Sequence, residues 1–303
     1  MTDAQRPRFS VIIPTYDRPE AVRRCLLALE RLEYPKDRFE VVVVDDGGAT
    51  PLDTVVDGVR NDVDVTLLRQ ANAGPAAARN VGGRRAGGQY LVFTDDDCEP
   101  DAGWLDALAR RFELEPDVMV GGRTVNALRD NVYSEASQAI LDLVYRHYNR
   151  DPLNAHFVAS NNLALPADGF REVAGFDTSY PTAGGEDREF CRRWIGAGRR
   201  IVFEPEAVVL HAHALSTRAF FRQHFEYGRG AFRFHRGAGS NGAGALGELH
   251  FYAALPRLVA RRLSGEKLGR SLSLSVLLGV WQLANVAGYG RERISAWRRG
   301  VPR

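Results

Sequence analysis

The chain has 303 residues, 45% hydrophobic and 26% charged, which excludes a disordered, collagen-like or disulfide-knotted protein and leaves room for one large domain or two ordinary ones. Its net charge of +2 hides a segregation, because residues 1–210 carry −9 and residues 211–303 carry +11. Cys25, Cys98 and Cys191 are odd in number, widely spaced and lack any C-x-x-C pair, which points to a reducing compartment without a disulfide framework.

The first eight residues are polar and lead directly into Phe9-Ser10-Val11-Ile12-Ile13, so no secretory signal is expected. That run reads as a strand, as do Glu40–Val44, Val63–Leu68 and Tyr90–Thr94. Between them, 19–31 opens with Pro19 and sets Ala21, Cys25, Leu26 and Leu29 on one helical face; 75–86 is a second helix, introduced by Asn72-Ala73-Gly74. Strand and helix in alternation predict an α/β protein with a mainly parallel sheet, whose ligands gather at the carboxyl ends of the strands. Three polar clusters fall at that edge: Pro14-Thr15-Tyr16-Asp17-Arg18, Asp45-Asp46-Gly47-Gly48 and Asp95-Asp96-Asp97. Further on, 157–165 reads as a strand carrying Asn161 and Asn162. Gly184-Gly185-Glu186-Asp187 opens a helix to about Ile195, and 201–203 and 207–210 read as short strands. From Ser216 a helix holds Phe220, Phe221, Phe225 and Tyr227, 236–247 contains five glycines and reads as a flexible loop, and 271–290 is a run of twenty uncharged residues between Arg270 and Arg291.

Three consecutive carboxylates after an apolar strand cost folding free energy unless a cation compensates them, and a divalent metal bridging to phosphate is the natural one. A solvated acidic turn is the bland alternative. Asp187, behind two glycines at a helix start, suits either a general base or a charge that complements the helix amino end. Asn72, Arg79 and Asn80 surround another helix amino end, where a base or phosphate could be met. His211 and His213 share one face of a strand, and either could be a third ligand, better suited to Mn²⁺ than to Mg²⁺.

The series Ser10–Arg18, Val43–Gly48, Asn72–Asn80, Phe93–Cys98, Asn161–Leu165, Gly175-Phe176-Asp177 and Gly184–Asp187, in this order over about residues 8 to 215, resembles the family 2 glycosyltransferases with the GT-A fold. The resemblance implies a GT-A type, Rossmann-like, mainly parallel sheet flanked by helices, with residues 1–215 as the catalytic domain and 216–303 as a helical extension. It implies a nucleotide pocket lined by Pro14, Thr15, Asp17, Asp45, Asn72 and Arg79, with Asp45 facing the base. Asp95 and Asp97 match the outer members of the family's D-x-D motif, which implies ribose contact and metal ligation respectively, with Asp96 between them in the variable position. Asp187 matches the catalytic base, Glu186 its neighbour, Asn161 and Asn162 the acceptor side, and His211 the late metal-binding histidine of some members.

The implied reaction is inverting transfer from a nucleotide-diphosphate sugar to a glycan or lipid-linked acceptor, assisted by Mn²⁺ or Mg²⁺. A nucleotidyltransferase or a non-catalytic nucleotide-sugar or glycan binder would also use an acidic sheet edge, but neither accounts for Glu186-Asp187. No nucleic-acid module frames the arginines and aromatics of 229–236. The polar residues inside 271–290 make it a poor lipid-exposed span, so an interfacial helix or hairpin on an anionic membrane surface is expected, with a packed helix as the alternative. The expected location is cytoplasmic, peripheral at the inner face of the cell membrane. Acceptor choice is expected in 130–155.

Overall fold

The computed structural model describes residues 8–59, 62–180, 182–237 and 268–299. They form two compact units. One takes in the chain up to Ala127 with 151–180 and 187–212; the other takes in 128–150, 182–186 and the described residues from His213 onward.

The first unit is built on an eight-stranded sheet. Its strands are β1 (Phe9–Thr15), β2 (Phe39–Asp45), β3 (Val65–Arg69), β4 (Tyr90–Thr94), β5 (Cys98–Pro100), β6 (Met119–Asn126), β7 (Asn162–Pro166) and β8 (Ile201–His211), in the order β3-β2-β1-β4-β7-β6-β8-β5. The first four are parallel; β7 runs antiparallel to β4 and β6, and β5 antiparallel to β8. Every residue of β1 and β4 is buried, as befits strands covered on both faces. Alternate side chains divide the core: Val11, Ile13, Val41 and Val43 meet Leu26, Leu29, Leu108 and Phe112 on one side, and Ile12, Val42, Val44 and Phe93 meet Ala78, Phe170, Phe176 and Phe190 on the other.

Helix α1 (Pro19–Glu30) has Pro in its first turn and buries the face read from the sequence, Ala21, Cys25, Leu26 and Leu29. After α2 (Asp53–Asp57), α3 (Pro75–Arg85) lies close on the sheet because Gly82 allows it: a Cβ there would stand 2.5 Å from Ile12 Cγ2. That close approach brings the amino end of α3 to the carboxyl ends of β1, β2 and β4. Helices α4 (Trp104–Leu114), α6 (Ala167–Glu172) and α7 (Glu186–Gly196) complete the cover. All three cysteines are buried and free.

The expected α/β sheet is present, with two strands, β5 and β6, that the sequence pattern does not show, and two changes among those it does. The strand read over 157–165 begins only at Asn162, and the two short strands at 201–203 and 207–210 are one strand, β8, whose register with β6 slips between Gly122 and Arg123. Pro205 lacks an N–H for the ladder and falls in the slipped segment, which is why the sequence read as an interruption.

In the second unit, α5 (Val132–Tyr148) is capped by Asn131, whose Oδ1 accepts from the amides of Tyr133 at 3.0 Å and Ser134 at 3.1 Å. It packs with α8 (Thr217–Gly237) and α9 (Leu268–Arg298) around Ala136, Ile140, Leu143, Phe220, Leu274, Leu277 and Trp281. Where α8 and α9 cross there is no room for side chains. A Cβ on Gly228 would lie 2.1 Å from the Asn285 carbonyl oxygen, and one on Gly288 would lie 1.9 Å from that of Phe225. Beyond the crossing, the buried carboxylate of Glu292 accepts from Arg229 Nε at 2.8 Å, Arg233 Nη2 at 3.2 Å and Arg299 Nη2 at 3.1 Å.

The run 271–290 is therefore part of one 31-residue helix and not a hairpin. Residues Gly269–Arg298 are long and apolar enough to cross a bilayer by length and composition, but one face is packed on α5 and α8. The other is a narrow exposed stripe of Leu272, Val276, Leu283, Val286, Ile294 and Trp297, whose spacings of three, four, seven and eight residues keep it on one side. The glycine-rich run read as a loop lies, beyond Gly237, outside the described residues.

Candidate active site

The polar clusters after β1, β2 and β4 converge at one sheet edge in the first unit. Pro14 and Thr15 end β1, and the Thr15 hydroxyl donates to Asp96 Oδ2 at 2.6 Å. Asp17 follows at φ +56° and accepts from the amide and hydroxyl of Thr50, at 3.1 and 2.8 Å, tying the two loops together. Asp45 is buried and accepts from the Gly48 amide at 2.8 Å, shaping the turn after β2. Gly47 in that turn adopts φ +83°, and a Cβ there would stand 2.8 Å from the Asn72 amide nitrogen, so only glycine lets the loop carrying exposed Asn72 come so near.

Asp46, which the sequence reading left without a role, anchors that loop. Its carboxylate accepts from Gln70 Nε2 at 2.6 Å and from the amides of Ala73 and Gly74, both at 2.9 Å. The segment leading into α3 is thus held in place. From α3, Arg79 is 4% exposed, its Nη2 donates to Asp95 Oδ1 at 2.9 Å, and its guanidinium lies 5.5 Å from the Phe176 ring centre. Asn80, one residue on, is spent on the backbone of Phe176, donating to its carbonyl and accepting from its amide at 2.8 Å each.

Asp95, Asp96 and Asp97 leave β4 with different surroundings. Asp95 is partly exposed and paired with Arg79. Asp96 is buried and accepts from Thr15 and, bidentately, from Arg18. Asp97 Oδ2 accepts from Arg18 Nη1 at 3.2 Å, and its Oδ1 lies 3.1 Å from His211 Nε2 at the end of β8. The Asp97 carbonyl accepts from the Ala212 amide at 2.8 Å, which fixes the two strand ends against each other. Burial works against protonation of His211, but the hydrogen bond and charge of Asp97, with the charge of Asp95, outweigh it and hold its pKa above the usual value. His213 belongs to the second unit, where its carbonyl accepts from Ser134 Oγ at 2.5 Å.

Asn161 and Asn162 are buried and occupied by the protein itself. Asn161 Oδ1 accepts from Thr124 at 3.2 Å, while Asn162 accepts from Trp104 Nε1 and donates to the Ala207 carbonyl, both at 2.9 Å. Glu186 turns back to accept from the Gly184 amide at 2.6 Å. Asp187 is held by one oxygen: Oδ2 accepts from the Ser160 amide at 3.1 Å, and Oδ1 is buried with no hydrogen-bond partner among the described residues. Burial raises its pKa, and the opposing charge of Arg79 does not cancel the effect.

Residues 10–173 match the family described as Glycosyl transferase family 2. The chain belongs to that family. Among its relatives, a pre-mycofactocin glycosyltransferase of Mycobacterium tuberculosis is 33% identical over 73% of this chain, and the chain spans about half, 46%, of that protein. The glycosyltransferase AglE of Haloferax volcanii is 28% identical over 74% of the chain and 73% of its own length. Among solved structures, a mannosyltransferase of Pyrobaculum calidifontis in complex with GDP-Man and Mn²⁺ superposes with a TM-score of 0.65 at 21% identity, covering 95% of this chain and 87% of the other. Staphylococcus aureus TarS 1-349 in complex with UDP-GlcNAc gives 0.59 at 18%, covering 97% and 92%. The GT-A fold expected of a family 2 member is the fold observed.

Proposed function

We propose that the protein is an inverting glycosyltransferase that moves a sugar from a nucleoside-diphosphate donor to an acceptor hydroxyl. Asp187 carries this reading. A buried carboxylate with one oxygen fixed by the Ser160 amide and the other unpartnered is arranged to take a proton, and its raised pKa makes it a stronger base than a solvated aspartate. The charges of Arg79 and Asp95 both reach Asp187, so the base stands beside the acidic sheet edge where a donor would lie.

Donor binding falls to that edge. Pro14, Thr15, Asp17, Asp45, Asn72 and Arg79 line or brace the loops after β1 and β2 and the start of α3, and Asp46 sets the Asn72 loop. The solved neighbours with GDP-Man and UDP-GlcNAc support a nucleotide-sugar donor. Asn161 and Asn162 would serve the acceptor side by fixing the entry of β7, and Glu186 by fixing the turn before Asp187.

A carboxylate and an imidazole 3.1 Å apart are a donor pair that suits Mn²⁺ and accepts Mg²⁺, so Asp97 and His211 fit the metal expected of the family. Held there, the metal would supply positive charge to the leaving diphosphate. The exposed apolar stripe of α9, followed by Arg298 and Arg299 and carried on a segment of charge +11, complements an anionic lipid surface. We therefore place the protein at the inner face of the membrane, lying on it, with a glycan or lipid-linked acceptor.

Asp187→Asn tests the central assignment. It is expected to retain nucleotide-sugar binding, read by thermal shift over a panel of donors, and to lose transfer by about 10²- to 10⁴-fold. Wild-type turnover in that variant would remove Asp187 from the role of base.

A further inference from the structure

The two arginines that meet the acidic turn after β4 are not equivalent. Arg79 is 4% exposed, faces Phe176 and is fixed on Asp95. Arg18 has a side chain 46% exposed, stands at the amino-terminal cap position of α1, and reaches in from solvent. Its Nε and Nη2 grip Asp96, while Nη1 and Nη2 both stand 3.2 Å from Asp97 Oδ2, the oxygen that does not face His211. A guanidinium thus already holds one oxygen of the carboxylate that a cation would draw on, and Nε keeps its own bond to Asp96 if Asp97 is released.

We propose that Arg18 is a tethered counter-ion for Asp97, a positioning residue that yields the carboxylate when a divalent cation arrives with a nucleoside diphosphate and then meets the diphosphate's charge. The inference rests on the reading of Asp97 as a metal ligand. Three carboxylates at a strand end repel one another, so the protein neutralises them internally before ligand arrives. Cation binding to the nucleotide-free protein must displace Arg18 from Asp97 with nothing new for Arg18 to pair with. When diphosphate is present, the freed Nη1 has an anionic acceptor, and an exposed guanidinium changes partner at little cost because water shares in both pairings. Metal and diphosphate then favour each other's binding, and linkage makes that coupling reciprocal.

The test is titration of the full chain with Mn²⁺ alone, followed by the electron paramagnetic resonance signal of free Mn²⁺, then repeated with inorganic pyrophosphate. Neither arm requires turnover. Arg18→Met is expected to bind Mn²⁺ about tenfold more tightly than wild type without pyrophosphate, within the usual range of coupling between sites, and to lose most of the tightening that pyrophosphate brings to wild type. Arg18→Gln, which keeps a donor without the charge, gives a second reading of the same comparison, and Arg18→Lys should restore wild-type behaviour in part. Equal Mn²⁺ affinity in wild type, Arg18→Met and Arg18→Gln, abolished in each by Asp97→Asn, would overturn the role of Arg18 while leaving the metal assignment standing. Mn²⁺ binding by none of them, or binding indifferent to Asp97→Asn, would overturn both.

Discussion

The base proposed at Asp187 comes at a cost in stability. Its carboxyl holds a proton more firmly in the folded chain than at its ordinary value of 3.8, so between that value and the raised one the folded state binds more protons than the unfolded. Stability therefore falls as pH rises through that window, and above it the ionised, half-satisfied carboxylate is a standing cost. Asp187→Asn should accordingly raise the melting temperature at neutral pH while transfer falls as stated above, and wild-type activity should fall on acidification at a higher pH than an ordinary aspartate would impose. A lower melting temperature in the variant would mean that the unpartnered oxygen is stabilising. Part of this scale was legible from residue order: the clusters 14–18, 45–48 and 95–97 meet at one sheet edge as expected, and Arg79 reaches it from α3 through Asp95. Asp46 and Arg18 were not singled out, because their roles lie in long-range partners. Asp46 bonds to amides 27 and 28 residues away and Arg18 to carboxylates 78 and 79 away, and no local pattern encodes such closures. The one available signal was the doubled aspartate after β2, where the second acid had no evident purpose.

Among the elements, β1, β2 and β4 were readable as continuous apolar runs and α1 by its single apolar face. Others, β6 among them, were missed, and β8 was split. β6 contains Gly121-Gly122, which carry no hydrophobic signal, yet a Cβ on Gly122 would stand 2.2 Å from the Ala207 carbonyl and 2.4 Å from the Asn162 amide, so the glycine is what lets β8 bulge there. The pair α8 and α9 shows the same economy. Gly288→Ala should drive the helices apart and cost about 1–3 kcal/mol, read as a loss in denaturant midpoint without change of slope. At the same crossing, burial works against the charge of Glu292, but Arg229, Arg233 and Arg299 outweigh it and hold its pKa below the ordinary 4.5. The stability this adds is complete above the ordinary glutamate value and is lost as pH falls through the lower, folded one. Removing the carboxylate leaves Arg229 on Glu226 and Arg299 largely in solvent, so Glu292→Ala should cost about 1–2 kcal/mol; an unchanged midpoint would show the cluster to be ornamental.

For the whole molecule, charge segregation was plain in the sequence, but what the tail does with its apolar residues was not, because one helix serves two environments on opposite faces. With Leu283 and Val286 both exposed, Leu283→Asp with Val286→Asp should leave the melting temperature within a degree or so and abolish co-sedimentation with vesicles rich in phosphatidylglycerol. Binding that persists in the double variant, or wild-type indifference to such vesicles, would end the membrane reading. The second unit also draws its core from distant parts of the chain: Ala136, Ile140 and Leu143 of α5 are covered by Leu274, Leu277 and Trp281 of α9. On the ribosome, some 120 residues separate the end of α5 from the start of its cover, which at 5–20 residues per second is a wait of roughly 6–25 s. Throughout that interval the nascent chain displays the apolar face of α5 that α9 will cover. Translation speed across the intervening codons, and whatever shields the helix meanwhile, thus bear on the yield of protein as directly as any residue in the folded core.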